Sequence, residues 1–500
     1  MNLPLPLRPH RDILKSIWNL TTSDNQIYIV GGAVRDTFLK KTTHDLDFTL
    51  ASNAIEICRQ VANKINGAFY VLDENRKTAR IILTKEDNSR QHIDFSTFRG
   101  NSIEEDLHCR DFTINAMALP VSNLERLIDP LAGLKDLQER RLRACSGDSI
   151  VEDPVRILRA VRLSGAYSLF IEPDTKKLIT GSIKKLSEVS PERIRDEIFR
   201  ILDSPKPATA MAILDKLGAL DWILPGIQFF RPDLGAFPEE VKGFNSRFST
   251  LEQLKNILQV LSIVYDPETA MNLVYGYLSV RLGRYRQKLH YHFFSHSNPE
   301  RTRQSLLLFS SLFSNPTWNQ KIQPEVYDGS DEGDVGTYTN KTAIFQAKEL
   351  RLSNLEINNI STLIKNLDEP YFLSLRKERL TNRDIYRFFK HSNSLGIDIC
   401  LLSLAHTIAQ SGPSLQKEIW INLVDTIQIL FESWWFNRDE IISPKPLING
   451  DTLMSELKLD PGPLIGEVLE AVREAQASGE VSDVIEAIGF AESWLSDNYG

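Results

Sequence analysis

Two carboxylates, Asp45 and Asp47, stand two residues apart in His44–Leu50, where Asp45, Asp47 and Thr49 alternate with Leu46, Phe48 and Leu50. That alternation predicts a strand with one polar face, so both acids point the same way. Carboxylates held side by side repel unless a hard divalent cation neutralises them. Mg²⁺ suits the position because it prefers a couple of carboxylates together with substrate phosphates. Just upstream, Gly31-Gly32 closes the short apolar run Gln26–Val30 and opens the segment GGAVRD. Without a Cβ, Gly32 lets backbone come close to a triphosphate, and Arg35 lies near enough to grip phosphate.

Further residues of chemical interest follow. Asp94, in HIDFSTFR, is a candidate third carboxylate if its strand lies beside Asp45–Asp47. In DLHCRDFTINAMAL, Arg110 and Asp111 precede an apolar run expected as a helix, with Asn115 as an unusual polar insert. In VEDPVRILRAVRL, Asp153 and Arg156 are three apart on an expected helix, and Arg159 and Arg162 continue the row. Such a row can be an exposed ion-pair ladder. It can also read a base: a carboxylate beside a guanidinium offers an acceptor next to donors. Cytosine presents an amino donor beside the N3 and O2 acceptors, and adenine an amino donor beside N1. Uracil and guanine show the reverse pattern and would leave polar groups unpaired.

The elements needed to place these residues alternate in the first hundred positions. Strand signals fall at Gln26–Val30, His44–Leu50, Ala68–Leu72, Ala79–Thr84 and His92–Phe98, and helix signals at Ala33–Leu39 and Asn53–Ile65. From about Asp106 onward the helical period dominates. The class expected is therefore α+β, a small mixed-sheet head followed by a long all-α remainder. Pro324–Thr342 is polar and rich in Gly and Asp, and is expected to be a loop; Ser443–Gly450 marks another break.

The full 500 residues are too many for one ordinary domain. With 42% hydrophobic and 25% charged residues and a mean hydropathy of −0.23, the chain fits neither a fibrous nor a disordered class. No apolar run approaches the ~18 residues of a membrane span. Four scattered cysteines without a CxxC pair suggest neither a disulfide framework nor a zinc site. No apolar signal core opens the chain, and a cytoplasmic location is expected. The net charge of −8 is concentrated: Pro446–Gly500 carries eleven acids and two bases, leaving the other residues near neutrality, with Leu131–Arg200 at +3. Local basic faces can therefore still meet a phosphate backbone. Arg281–Lys288 (RLGRYRQK) interleaves aromatics with bases in the manner of an RNA surface, or of a solvated helix. His290, His292, His296 and His406 read as structural or surface residues.

Taken in order, GGAVRD with DLD, RDFTINAMA, LIDPLAGLKDL, EDPVRILRAVRL and SPERIRDEIFRIL resemble the bacterial, class II branch of the CCA-adding tRNA nucleotidyltransferases and poly(A) polymerases. The resemblance implies a polymerase-β-like nucleotidyltransferase head (residues 1–145), a helical neck (146–225), a tRNA-binding helical body (226–445) and an acidic helical tail (446–500). It implies untemplated extension of the tRNA 3′ end with CTP and ATP, supported by Mg²⁺ at Asp45 and Asp47, in the cytoplasm and with no membrane. Gly32 and Arg35 match the triphosphate-binding turn, and Arg110 the phosphate-binding arginine of the second motif. Asp153 and Arg156 match the base-reading pair, with Arg159 and Arg162 completing the nucleotide pocket.

Two departures stand out. Cys109 occupies the first position of the usual RRD. Only Gly100–Asp106 joins the STFR strand to Leu107, whereas members completing the whole CCA carry a longer flexible loop there. The short connection favours a CC-adding enzyme working with a separate A-adding partner. Full CCA addition, A addition and poly(A) synthesis are the alternatives, the last disfavoured by the acidic tail. A non-catalytic RNA-binding protein is disfavoured by the retained Asp45, Asp47, Asp153 and Arg156.

Overall fold

The computed structural model describes residues 3–22, 25–84, 90–230, 248–264, 267–294, 296–298, 301–314 and 335–499. They divide into two compact units: Met1–Ile198 with Ile213–Ile223, and Phe199–Ala212 with Leu224–Gly500.

The first unit is built on a six-stranded mixed sheet. Its strands are β1 (Ile27–Val30), β2 (Leu46–Leu50), β3 (Ala68–Asp73), β4 (Thr78–Thr84), β5 (Arg90–Thr97) and β6 (Ala118–Pro120), in spatial order β3-β4-β5-β2-β1-β6. β2 and β5 run parallel and every other pair is antiparallel. Alternation divides the faces. Leu46, Phe48, Leu50, Ala79, Ile81, Ile93 and Phe95 are buried, and the helix Ala54–Ile65 packs on β4 and β5 with Ala54, Cys58, Val61 and Ala62 turned inward. Phe48 and Phe95 stack at 5.0 Å between ring centroids. Burying each such side chain contributes roughly 1.5–3 kcal/mol, which fixes which residues the opposite face presents. That opposite face carries Asp47 and Asp94.

Two expectations are corrected. The apolar run after Asp111 is not an α-helix: Thr113–Asn115 makes one 3-10 turn, and Ala118–Pro120 becomes β6, paired with β1 from Tyr28↔Pro120 to Val30↔Ala118. The edge of β1 supplies hydrogen bonds, and the strand buries Ala116 and Ala118 against Val30, Ile103 and Leu107. An isolated helix there could not have used both. Nor do Asp153 and Arg156 share a helix. Ser149–Glu152 ends at Asp153, whose φ of −141° and ψ of 87° lie outside the helical region, and a new helix runs Arg156–Tyr167. Pro154 disfavours helical backbone at the residue before it, which breaks the run there.

The second unit is helical. Gly396–Ser411 is buried along almost its whole length and packs against Ser249–Val260 and Lys417–Phe436. Of the expected loop Pro324–Thr342, residues 324–334 lie outside the described residues. The rest opens the helix Val335–Glu349, whose Ala343 and Ala347 are buried. Their helical spacing lies at and beyond the end of the polar run, where composition alone did not show it. In RLGRYRQK the cations turn to protein partners: Arg281 pairs with Asp425 (2.8 Å), Arg284 with Glu432 (2.9 Å), and Lys288 lies 4.7 Å over the Phe436 ring. His292 bonds Asp398 (2.7 Å), and His406 is buried against the Ser314 carbonyl.

The acidic end forms three helices, Gly450–Leu457, Pro463–Ser478 and Val484–Tyr499, around Leu453, Val468, Val472, Ala487 and Ala491. Its glutamates meet the helix Asn382–Ser392: Glu474 takes Arg387 at 2.6 Å and Arg383 at 3.1 Å, and Glu470 takes Lys390 at 2.7 Å. Among the described residues no helix is long and apolar enough to cross a membrane.

Candidate active site

The register of the sheet brings the predicted carboxylates together. Asp47 on β2 lies beside Asp94 on β5 as its parallel partner, and Asp45, at the lip of β2, accepts the His92 backbone N–H at 3.1 Å. Asp94 does not stand alone. Both its oxygens accept from Arg80 of β4, Oδ1 from Nε at 2.7 Å and Oδ2 from Nη2 at 2.8 Å. Asp47 has no such partner. Burial first, then the charge of Asp94, push its pKa up from 3.8 to about 6; Arg110 and Arg159 pull it down and Asp45 raises it. A half-buried carboxylate held among like charges is one that a cation would stabilise in its ionised form.

The turn before the first head helix comes within reach of these acids. Gly31 has φ 72°, in the left-handed region, and a Cβ there would stand 3.1 Å from Asp47 Oδ2 and 3.7 Å from an Arg110 nitrogen. Carboxylate, guanidinium and bare backbone therefore converge on one spot. Gly32 begins the helix Gly32–Phe38, with the Arg35 guanidinium 3.4 Å from where its Cβ would be. Arg35 itself is buried. It donates to Asn115 Oδ1 (2.7 Å), Tyr167 Oη (2.6 Å) and Asp36 Oδ1 (2.9 Å), and its guanidinium lies 4.3 Å from the Tyr167 ring centroid. Three of its five N–H donors, one on each nitrogen, hold the turn in this way.

From Arg35 a chain of bonds runs through RDFTINA to the helix Arg156–Tyr167. Asn115 Nδ2 donates to Asp111 Oδ1 (3.2 Å), and Asp111 Oδ2 faces Arg159 Nε at 3.3 Å. Burial works against the Asp111 carboxylate, but Arg159, the Phe112 N–H and Asn115 outweigh it and hold its pKa below the usual range. Arg162 in turn bonds Glu197 (2.8 Å). Arg110 is anchored to Asp106 Oδ2 through Nη2 (2.9 Å) and Nε (3.2 Å).

Asp153 and Arg156 sit close but are only loosely paired, Nε to Oδ2 being 3.8 Å. Arg156 is buried and spends its donors on the carbonyls of Arg110 and Ser149 (3.1 Å each) and of Cys109 (3.1 Å). The close partner of Asp153 is Arg193, at 2.8 Å. Asp153 Oδ1 is buried without a hydrogen-bond partner, an acceptor left open. Arg80, Tyr167 and Arg193 went unnoticed in the sequence. Arg80 could have been found as the lone cation between buried Ala79 and Ile81; Tyr167 and Arg193 carried no local signal.

Among the described residues no three His, Cys, Asp or Glu side chains gather around a common point. The donor set still fits a hard cation: two oxygen-only carboxylates, one of them destabilised by its neighbours.

Three family models match the chain: "Poly A polymerase head domain" over residues 27–143, "Probable RNA and SrmB- binding site of polymerase A" over 168–230, and tRNA nucleotidyltransferase domain 2 over 337–491. A CC-adding tRNA nucleotidyltransferase of Geobacter sulfurreducens is 42% identical over 178 residues, which are 36% of this chain and 40% of that protein. The chain therefore matches less than half the length of this relative. An A-adding tRNA nucleotidyltransferase of Deinococcus radiodurans is 29% identical over 94% of this chain and 96% of its own. Among solved structures, the apo form I of a CCA-adding enzyme shares the fold at a TM-score of 0.57 and 19% identity, covering 97% of this chain and 94% of that one.

Proposed function

We propose that this chain is a member of the family of tRNA nucleotidyltransferases and poly(A) polymerases, to which its head and its C-terminal region are similar, and that it adds nucleotides of the 3′-terminal CCA to tRNA without a template, using CTP. The observation that carries the proposal is the convergence at Gly31 of Asp47 Oδ2, Arg110 and backbone without a Cβ. Asp45 and Asp47 would hold Mg²⁺, which when bound neutralises the triphosphate and favours ionisation of the attacking 3′-hydroxyl. Arg110 binds phosphate beside the turn, and Gly32 lets backbone approach it. Arg35 is a positioning residue: through Asn115, Asp36 and Tyr167 it keeps the turn in place. Asp94, bound through both oxygens by Arg80, shapes the charge around Asp47.

For the base, the open Asp153 Oδ1 would accept the exocyclic amino group of cytosine, with Arg156 and Arg193 setting its position. Arg159 and Arg162 line the same helix and tie it to Asp111 and Glu197. Substituting Asp153→Asn would swap the pattern of donors and acceptors and is expected to lower CTP use by one to two orders of magnitude, consistent with the ~1–3 kcal/mol of a good bidentate base contact.

Restriction to CC, leaving the A to a partner enzyme, is supported by the connection after β5. Gly100–Ser102 leads directly into the helix Ile103–His108, with Ser102 Oγ accepting the Glu105 N–H and Glu105 Oε2 accepting the Asn101 N–H. Asp106 accepts the Arg99 N–H as well. No slack is left for a movable loop. The decisive pair of variants is Asp45→Ala, expected to abolish incorporation while leaving tRNA binding intact, and an insertion of flexible residues after Gly100, which would admit A addition if the short connection is the restriction. Loss of tRNA binding in Asp45→Ala would undo the catalytic assignment.

A further inference from the structure

The row of side chains that begins at Asp47 does not stop at Asp94. Cross-strand partners share a face, and the register runs Asp47↔Asp94 between β2 and β5, Asp94↔Arg80 between β5 and β4, and Arg80↔Tyr70 between β4 and β3. Four strands thus present one line across the open face: carboxylate, carboxylate, guanidinium, phenol. The opposite face is filled by the core under the helix Ala54–Ile65, where Phe69, the neighbour of Tyr70, lies beneath Arg59 at 5.1 Å. Tyr70 is half exposed, at 50%, on the edge strand, and Leu72, at the irregularity between Val71 and Asp73, is 49% exposed. Neither has a described packing role. A rigid aromatic on a sheet, in line with the reacting carboxylates, is a stacking surface for a base.

Resting on the function proposed above, we infer that Tyr70 is the platform for a base at the 3′ end of the acceptor RNA, just behind the reacting hydroxyl. Three strand spacings separate β2 from β3, roughly 14 Å, a reach of about one to two nucleotides of single strand. The occupant follows from continuity with the carboxylate row: the triphosphate side is the turn after β1, and from Asp45 and Asp47 on β2 the strands on the side away from that turn are β5, β4 and β3, over which the acceptor strand is placed. Arg80, spent on Asp94, adds little free charge, so the contact is to a base more than to a phosphate and tolerates any base. A nucleoside triphosphate, gripped beside Gly31 and Arg110, would not touch it.

The test measures binding of a fluorescent tRNA transcript lacking its CCA without nucleotide, alongside steady-state kinetics with CTP. Tyr70→Ala is expected to raise both the RNA Kd and the RNA KM roughly 5- to 100-fold, with kcat and the KM for CTP within about twofold. Tyr70→Phe keeps the π face and should match the wild type. An alanine variant with unchanged RNA binding, or one whose CTP KM rises as much as its RNA KM, overturns the platform and leaves the proposed function standing. A wild type that binds the transcript through Tyr70 but incorporates nothing overturns the function and leaves the platform. Because Tyr70 is exposed, Tyr70→Ala should unfold like the wild type, checked by thermal melting.

Discussion

Replacing Asp47 by Asn should destroy activity and stabilise the protein. In the folded chain the carboxyl is raised from 3.8 to about 6, by burial first and then by Asp94. The folded state therefore binds this proton more tightly than the unfolded state. Below pH 3.8 both states hold it and there is no penalty; between 3.8 and about 6 the penalty grows, and above it is complete, so this group lowers stability as pH rises. Two pKa units correspond to about 3 kcal/mol. Asp47 is only half-buried, and solvent screening reduces the expected gain for Asp47→Asn to about 1–2 kcal/mol at pH 8. The assay is urea unfolding in EDTA at pH 8 and pH 4. The variant should be the more stable at pH 8, and the difference should shrink by pH 4. Millimolar Mg²⁺ at pH 8 should stabilise the wild type and not the variant, since only a state that binds ligand gains from it. A variant less stable than wild type at pH 8, or a difference indifferent to pH, would refute the charge-repulsion account of this site.

Other substitutions probe the framework. Asn115→Ala removes the bridge between Arg35 and Asp111, leaves buried polar groups unpaired, and should cost about 1–3 kcal/mol in urea unfolding along with much of the activity. Gly31→Ala forces a side chain into φ 72° with its Cβ 3.1 Å from Asp47 Oδ2; about 1–2 kcal/mol of stability should be lost, and CTP incorporation should fall far more than tRNA binding. Glu474→Lys breaks the contacts to Arg383 and Arg387 and should speed limited proteolysis near residues 443–449, as high salt should in the wild type. An unchanged cleavage rate would mean that the apolar core of the terminal helices alone holds them in place.

Much of the head could be read from period-two patterns and glycines. Asp45–Asp47 and the strands around Asp94 follow from alternation, because one face of each strand must be buried, and the helix Ala54–Ile65 follows from the helical spacing of Ala54, Cys58, Val61 and Ala62. What escaped was set by pairing across long sequence distances. Ala118–Pro120 is too short to show a period, and only the free edge of β1 makes it a strand. Arg80 gains its meaning from register with Asp94, and Arg193 from a partner forty residues away in Asp153. Pro154 was visible, yet the local charge row outweighed it in placing Asp153 and Arg156 on one helix. Arg35 shows the same limit in the site: its position in GGAVRD is readable, but the buried bonds that occupy its donors come from Asn115 and Tyr167, far along the chain.

The central claim is most directly tested by extending tRNA transcripts that lack CCA, and others ending in CC, with labelled CTP or ATP and Mg²⁺. The expected products are two cytidines on the first substrate, none on the second, and no adenosine on either even with ATP present. Completion of CCA would contradict the restriction to CC, adenosine on the CC-ended transcript would reverse the proposed division of labour, and no incorporation on either substrate would contradict tRNA nucleotidyl transfer itself.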